Sequence, residues 1–306
     1  MGEAVVIFNP VAGRGLGDAL SARAETQLRA AGWRVRRIPT REHDGAEPLA
    51  REVAHEVDLL VVAGGDGSLR EAIEGLGEER RRVEVGLLPL GNANVVAREL
   101  EIPLEPEGSL RVLGEMRSRS MDLARARSPE LGSRLVLAMV GIGWDAATVR
   151  LLDGIRHSRP GRVWYRLWAD SAYVIAGLIA ALWPRPPSLR LRADGSWLAP
   201  RFRGLQLCNL RTYGKGMSMA PDAHPASALI HYQARKRAAL PFLAWHLIAA
   251  QLGRKVPTCI SDYGAAKAAA VTSAEAFPAQ IDGDYWGCAR ELEVEILPGA
   301  LRIIAP

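Results

Sequence analysis

The stretch from Leu59 to Glu71, LLVVAGGDGSLRE, constrains the fold more than any other part of the chain. It begins with five apolar residues, Leu59 to Ala63, that show no alternation with polar ones. Such a run is typical of a strand buried on both faces of a parallel sheet. Ser68 and Glu71 then have the spacing of a capping box, which predicts that a helix starts there. The sequence therefore predicts a strand, a tight turn and a helix in immediate succession.

Three glycines, Gly64, Gly65 and Gly67, lie between this strand and this helix. Because glycine has no side chain, several backbone N–H groups can turn toward one anion beside the positive end of the helix. The segment is thus suited to hold phosphate. The alternative is an Asp-Gly turn in which the glycines only permit positive φ angles, and the motif alone does not decide between the two.

Similar units of strand, loop and helix make up the first part of the chain. Strands are predicted over 5–8, 33–38, 59–63 and 83–88, and helices over 16–31 and 47–56. Strands that alternate with helices indicate a doubly wound parallel sheet. With the strand order 2-1-3-4, the glycine loops at 9–15 and 64–67 would flank the crevice where ligands of such sheets bind. The loop Pro89 to Asn94 follows the next strand.

Beyond about Met121 the pattern changes to strands with fewer helices, which predicts a second, mainly antiparallel and β-sandwich-like domain. Strands are expected over 134–140, 189–192, 202–207, 229–234, 269–272 and 292–297. We place the α/β domain at 1–122 and the β-rich domain at 123–297, with the tail 298–306 packing back on the first. A helix predicted over 162–183 has too short an apolar core to span a bilayer, which needs roughly 20 residues. It is either a buried packing helix or, through Trp164, Trp168 and Trp183, a membrane-interface surface.

Charge is distributed unevenly along the chain. The net charge is +5, but between Arg150 and Ala220 twelve Lys and Arg accompany only three Asp and Glu, a local charge of +9. This basic zone suits an anionic partner such as a membrane surface, although a solvated face is the alternative. No recognition motif accompanies it, so we expect no nucleic-acid partner. The three scattered cysteines and the absence of a signal-peptide pattern indicate a reduced, cytoplasmic protein.

Six segments in chain order resemble the diacylglycerol kinase catalytic family, in particular bacterial lipid kinases related to sphingosine and ceramide kinases. They are Asn9-Pro10 with Gly13, Thr40 with His43 and Ala46, GGDGS at Gly64 to Ser68 with Glu71 and Gly75, PLGNANVVAREL at Pro89 to Leu100, GIGWDA at Gly141 to Ala146, and IDGD at Ile281 to Asp284. The resemblance covers nearly the whole chain. It implies an α/β nucleotide-binding domain and a β-sandwich-like lipid domain, with ATP and lipid meeting in the cleft between them.

The resemblance also implies roles for individual residues. Those that would hold ATP are Asn9, Gly13, Thr40, Gly64, Gly65, Gly67 and Asn92. Asp66, which is also expected to be catalytic, and Asp145 would organise Mg²⁺ and its waters, since this hard cation prefers oxygen ligands and bridges phosphate oxygens. Asp282 would be the general base that takes the proton from the lipid hydroxyl. The alternatives are turn chemistry for Asn9 and Asn92, a helix cap for Asp145 and an Asp-Gly turn for Asp282.

Four positions depart from the family pattern. Asn92 replaces a Thr, Val95 an Asp that often follows, and Asp284 the customary Glu. Ala226 stands where an Asp-Gly pair would help to hold a structural Mg²⁺, so that metal is expected to be absent. Two other functions remain open: an NAD kinase, which would carry an Asn-Glu pair not found after Asn94, and a lipid-binding protein that has lost catalysis.

The sequence as a whole favours an ATP- and Mg²⁺-dependent lipid kinase at the membrane surface. The expected acceptor is diacylglycerol, or a related glycerolipid or long-chain alcohol. The protein would be cytoplasmic and would associate peripherally with the membrane that contains its substrate.

Overall fold

The computed structural model describes residues 2–41, 45–157, 175–180, 188–214 and 216–306. The first part of the chain contains β1 (Glu3–Phe8), α1 (Ala12–Gly15), α2 (Gly17–Ala30), β2 (Arg34–Pro39), α3 (Glu47–Val53), β3 (Leu59–Gly64), α4 (Asp66–Leu76), a 3-10 helix (Gly77–Arg81), β4 (Glu84–Pro89), α5 (Val95–Glu99) and α6 (Pro106–Glu115). The second part contains β5 (Ser118–Ser128), β6 (Gly132–Val136), β7 (Met139–Ile142), α7 (Trp144–His157), the helical residues 175–180, here α8, β8 (Leu189–Ala193), β9 (Ser196–Phe202), β10 (Gly204–Cys208), β11 (Thr212–Tyr213), β12 (Met217–Ser218), β13 (Ile230–Arg235), α9 (Leu240–Gln251), β14 (Ser261–Ala266), β15 (Ala268–Ile281) and β16 (Asp284–Ile304).

The first four strands form a parallel sheet in the order β2-β1-β3-β4, as predicted. Both faces of the sheet are covered, which is why β3 shows no polar alternation. Val61 and Ala63 pack in the cluster that includes α2 and α6. Leu60 and Val62 pack on the other face with residues of α3 and α4. The doubly wound α/β fold is therefore confirmed.

The second part of the chain is mainly antiparallel, and β16 connects it to the parallel sheet. This strand pairs antiparallel with β15 and β5. Its polar residues alternate with buried Leu292, Val294 and Ile296, as expected of a strand with one face in a core. Near its end Arg302 and Ile303 pair in parallel with β4. The two halves thus share one continuous 14-stranded sheet, and the predicted boundary at residue 122 falls within β5.

The predicted capping box at the start of α4 is wrong. The helix begins at Asp66, with Gly65 in extended conformation as its N-cap residue. Ser68 therefore lies inside the helix, and the Glu71 carboxylate accepts a hydrogen bond from the backbone N–H of Ala46 instead (2.9 Å). The earlier start is possible because Gly64 has no side chain: a Cβ there would lie 2.8 Å from the Cβ of Ser68.

Three other features differ from the expectation or lie outside it. The strand predicted over 134–140 is two strands, β6 and β7, separated by Leu137 and Ala138. Helix α9 was not predicted, since its uniformly apolar sequence has no helical periodicity. Of the helix predicted over 162–183 the described residues include only α8, and His43, Trp164, Trp168 and Trp183 lie outside them. No helix in the described ranges is long and apolar enough to cross a membrane.

Candidate active site

The carboxyl ends of the parallel strands meet at one edge of the sheet. The N–H of Asn9, directly after β1, donates to the carbonyl of Ala63 in β3 (3.1 Å), and the N–H of Thr40, after β2, donates to that of Phe8 (2.8 Å). The side-chain oxygen of Asn9 accepts the N–H of Val11 (3.1 Å) and shapes the loop that follows. Asn9 and Thr40 therefore lie together at the edge where the glycine loops begin.

The glycine loops pack directly on each other. A Cβ on Gly65 would lie 3.0 Å from the Cα of Gly91, and one on Gly91 would lie 2.6 Å from the Cα of Gly65. Gly13 has a φ of +59° and faces Leu90, whose Cδ2 would be 2.8 Å from an added Cβ. The loops after β1, β3 and β4 are thus brought together, and glycine is required at positions 65 and 91 because backbone approaches backbone there.

The glycines at 64, 65 and 67 do not serve to permit positive φ angles. None of the three has such an angle, so the alternative that rests on this property is wrong. A Cβ on Gly67 would meet no described atom within 4 Å. Packing within the described chain therefore does not require this glycine. An anion that approaches the first turn of α4 would require it, because a side chain there would block access to the backbone N–H groups. Phosphate binding here remains a prediction.

Asp66 holds the start of the neighbouring helix α5. Its Oδ2 accepts the N–H of Val95 (3.0 Å) and its Oδ1 accepts the N–H of Val96 (3.1 Å). An acidic side chain in this position satisfies N–H groups that have no partner within the helix. Burial raises the pKa of Asp66 above its usual value, although these backbone bonds act in the opposite direction. This role could not be predicted from the sequence, because the partners lie in another loop.

The loop after β4 is shaped by Asn94 rather than by Asn92. Asn94 is buried at a φ of +49°. Its Oδ1 accepts the N–H of Gly91 (2.8 Å), and its Nδ2 donates to the carbonyl of the same residue (2.9 Å). Asn92 is exposed, and the side chain whose bonds form this turn is that of Asn94. The predicted ATP contact of Asn92 remains a prediction.

Asp145 is buried in the first turn of α7 and bonds to two side chains. Its Oδ1 accepts the hydroxyl of Tyr213 (2.7 Å), and its Oδ2 accepts the amide of Gln280 (2.8 Å). A Cβ on Gly141 would lie 2.0 Å from Oδ2, which explains this glycine of the GIGWDA motif. Because Asp145 lies within the helix, the helix-cap alternative is wrong.

Asp282 lies in an Asp-Gly turn between β15 and β16, with a φ of +52°, and Gly283 follows at +89°. Its Oδ1 accepts the N–H groups of Ala138 (2.8 Å) and Met139 (3.0 Å), while among the described residues its Oδ2 accepts only the N–H of Leu137 (2.8 Å). A carboxylate oxygen has two acceptor positions, so Oδ2 retains one. Burial raises the pKa of Asp282 to about 6. The turn alternative is correct as geometry, and the general-base role remains a prediction.

Gln280 connects the side chain of Asp145 to the turn that contains Asp282. It is fully buried, donates from Nε2 to Asp145 and accepts the N–H of Gly283 on Oε1 (2.8 Å). One amide therefore fixes Asp145 relative to the turn of Asp282. Sequence reasoning missed this residue, and the only signal was a polar side chain among the apolar residues that end β15.

A second missed residue, Arg70, connects this turn to the glycine-loop helix. Arg70 is buried on α4, and its guanidinium bonds to Glu74 (3.2 Å) and to the Oδ2 of Asp284 (3.0 Å). Glu74 in turn accepts the N–H of Leu135 (2.8 Å). The Asp that replaces the family's Glu at position 284 thus forms a bridge between the two halves of the molecule.

Replacing Arg70 with Met is expected to lower the free energy of unfolding by about 1–3 kcal/mol, because both carboxylates lose a charge-assisted partner. Urea denaturation measures the change. Asp284→Asn is the matched control: it weakens only the bridge between the halves, and the Asp284 side chain is half exposed, so its loss should be smaller. An unchanged midpoint for Arg70→Met would contradict the assignment.

The donor chemistry of the site fits magnesium bound by few protein ligands. Asp66 and Asp145 offer oxygen atoms of the kind that Mg²⁺ prefers, and this ion usually binds through one or two carboxylates, waters and substrate phosphates. In the described ranges no group of three His, Cys, Asp or Glu side chains forms a metal cluster. A cluster of three such side chains is not required for a Mg²⁺ ion that is bound mainly by the phosphates of a nucleotide and by water.

Comparison with known proteins matches this two-part architecture. Residues 3–126 match the family model of the diacylglycerol kinase catalytic domain, and residues 138–305 match that of the YegS C-terminal NAD kinase beta sandwich-like domain. Together the two models span nearly the whole chain, and the first of them describes the catalytic domain of a lipid kinase. The chain belongs to the diacylglycerol kinase family, which confirms the resemblance and the prediction of a lipid kinase.

Individual relatives agree with this membership. Diacylglycerol kinases from Staphylococcus aureus strains JH9 and Newman are each 26% identical over 292 residues, which cover 93% of this chain and 87% of theirs. A crystal structure of a Bacillus anthracis protein, provisionally named a diacylglycerol kinase, superposes with a TM-score of 0.80 at 18% identity. That superposition covers 100% of this chain and 98% of the other, and shows that the fold is shared.

Proposed function

We propose that the protein transfers the γ-phosphate of ATP to a hydroxyl group of a membrane lipid, with diacylglycerol or a related glycerolipid or long-chain alcohol as the acceptor. The observation that carries this proposal is the set of bonds around the turn of Asp282. Gln280 ties that turn to Asp145, and the Asp284–Arg70 pair ties it to the helix that begins at the glycine loop. A candidate base is thereby fixed to the candidate phosphate loop.

In the proposed reaction the backbone N–H groups at the start of α4 hold the phosphates of ATP. Asp66 and Asp145 would hold Mg²⁺, which when bound neutralises charge on the transferring phosphoryl group. The free acceptor position on the Oδ2 of Asp282 takes the proton of the lipid hydroxyl. Gln280 holds Asp145 in a fixed position relative to the turn of Asp282, and the Arg70–Asp284 pair holds the two halves of the molecule together.

A lipid acceptor requires the enzyme to work at a membrane surface, and we propose a cytoplasmic enzyme that associates with it peripherally. The basic zone between Arg150 and Ala220 supports this proposal, because cationic surfaces bind anionic headgroups. We propose no nucleic-acid partner for it.

A direct assay tests the function. Purified protein is incubated with labelled ATP, Mg²⁺ and, separately, diacylglycerol, a long-chain alcohol and NAD, and the product that carries the label is identified. Labelled lipid is the expected result. Labelled NAD would contradict the proposal in favour of an NAD kinase, and no label in any product would favour a lipid-binding protein that has lost catalysis.

The raised pKa of Asp282 predicts the pH dependence of activity. A general base acts only when it is deprotonated, so kcat/KM should fall about tenfold per pH unit below a midpoint near pH 6. The folded-state pKa lies above the unfolded value, so protonation favours the fold, and the contribution of this group to stability decreases as the pH rises toward 6. Because the pKa of Asp66 is also raised, the profile is compared with that of Asp282→Asn. Persistence of the same midpoint in that variant would contradict the assignment.

A further inference from the structure

Exposed large apolar side chains concentrate on two helices of the second half of the molecule. Of the eleven such residues in the described ranges, five lie on or directly after α9 and three lie on α8. They are Leu240, Trp245, Leu247, Ile248 and Leu252 at α9, and Ile175, Leu178 and Ile179 on α8. Exposed apolar side chains grouped in this way indicate a surface that binds another protein, a membrane or an apolar ligand.

Helix α9 exposes four of its large apolar side chains, namely Leu240, Trp245, Leu247 and Ile248. An ordinary surface helix buries its apolar face and exposes its polar one. In α9 the buried residues are Leu243, His246, Ala249 and Ala250, and the His246 ring is bonded to the hydroxyl of Ser261 (2.7 Å). Ile248 and Leu252, one turn apart, are 61% and 63% exposed. The helix therefore has apolar side chains on its exposed side as well as on its buried side, unlike a helix whose outer side meets water.

Charges at both ends of α9 indicate what covers it. The helix sequence LPFLAWHLIAAQ contains no acidic residue. Exposed Arg237 precedes it and exposed Arg254 follows it, and the Arg237 guanidinium lies 5.0 Å from the Phe242 ring. An apolar face with cations at each end is complementary to a bilayer surface that contains anionic lipids. At 12 residues, about 18 Å, the helix would lie along the surface, because it is too short to span the core.

Helices α8 and α9 are both linked to Trp144, the residue that precedes Asp145 in α7. The Trp144 indole N–H donates to the carbonyl of Gly177 in α8 (2.9 Å). The Trp144 ring also lies 5.8 Å from the guanidinium of Arg235 in β13. Arg235 is paired across the sheet with Ser261, the partner of His246 in α9. The apolar surface is therefore connected through Trp144 to the neighbouring Asp145 of the candidate site.

We propose that α9, together with α8, lies in the headgroup region of an anionic bilayer and inserts the side chains of Trp245, Ile248 and Leu252. Only the purpose of this contact rests on the proposed function: it gives the site access to an acceptor that remains in the membrane. The binding itself requires no phosphorylation, so the two can be tested separately.

Vesicle flotation tests the surface with a matched pair of exposed apolar residues. Leu16 and Ile248 are 51% and 61% exposed, but only Ile248 lies on α9. Ile248→Asn and Trp245→Ala should each bind vesicles of phosphatidylcholine mixed with phosphatidylglycerol about tenfold or more weakly than wild type, since one apolar side chain no longer inserts. Leu16 lies outside both α9 and the basic zone, so Leu16→Asn should bind like wild type. Binding should also weaken with added salt and on pure phosphatidylcholine.

Two further measurements distinguish the possible outcomes. Activity on a short-chain acceptor dissolved below its micelle concentration should be unchanged in Trp245→Ala, whereas activity on vesicles should fall. Equal flotation of wild type and both α9 variants would overturn the proposal even if phosphorylation is observed. A dimer in sedimentation velocity that Ile248→Asn dissociates would also overturn it, because a second copy would then cover the face. Flotation that depends on α9 without any phosphorylation would support the surface and contradict only the enzymatic function.

Discussion

Asp282→Asn is expected to lower kcat for lipid phosphorylation by about 10²- to 10⁴-fold, the range in which a positioned general base contributes. Asparagine has nearly the same shape but cannot accept the proton from the hydroxyl. The KM for ATP should change little, because the loops predicted to hold the nucleotide lie in the other half of the molecule. Initial rates at varied ATP and at varied lipid concentrations measure both quantities.

The contacts of Asp282 show that this variant also affects the fold. One side-chain oxygen can keep the bonds to Ala138 and Met139, but the amide would then direct an N–H group at the N–H of Leu137. A lost bond of this kind costs about 1–3 kcal/mol of unfolding free energy. The kinetic effect is therefore interpreted only under conditions in which urea denaturation shows that the variant is folded.

Asp194 provides a matched control for Asp282. It also precedes a glycine in a turn at positive φ, with angles of +44° and +82° for Asp194 and Gly195. Its Oδ1 accepts the N–H groups of Lys267 (2.8 Å) and Ala268 (3.1 Å). Asp194→Asn should therefore reduce stability without reducing kcat. If folded Asp282→Asn retained activity within a few-fold of wild type, the general-base role would be excluded.

The parts of the fold that could be predicted are those specified by local pattern. The unbroken apolar run of β3 predicted a strand covered on both faces, and the order of strands and helices predicted the parallel sheet. The same logic failed for α9, whose side chains are apolar all round the helix. Helical periodicity arises when one side of a helix is apolar and the other is polar, and a helix with apolar side chains on both sides does not show it.

The site was predicted as a set of residues but not as a set of contacts. The spacing of the motifs selected Asp66, Asp145 and Asp282, yet their partners are distant in sequence. Asp66 bonds to backbone groups 29 and 30 residues away, and Gln280 bonds to Asp145 across 135 residues. Arg70 and Asp284 are 214 residues apart. Such pairs arise only when the strands are assembled, so a single sequence does not specify them.

The bonds that Asp66 makes also make its replacement a sharper test. Asp66→Ala removes both acceptors for Val95 and Val96, so we expect stability to fall by about 1–3 kcal/mol as well as activity. Glu71→Ala is the matched control, because Glu71 lies on the same helix and its carboxylate accepts the N–H of Ala46, the N-cap residue of α3. It should lose stability and remain active.

If Asp66 also holds Mg²⁺ on the nucleotide, Asp66→Ala should lower kcat/KM by about 10³-fold or more, since charge neutralisation supplies much of the catalysis of phosphoryl transfer. Asp66→Asn then separates the two roles. It retains one oxygen for α5 but offers the metal no charge, so the Mg²⁺ concentration needed for half-maximal activity should rise. A pure capping role predicts the opposite result: Asp66→Asn would keep the wild-type Mg²⁺ dependence, and activity would follow the folded fraction measured by urea denaturation.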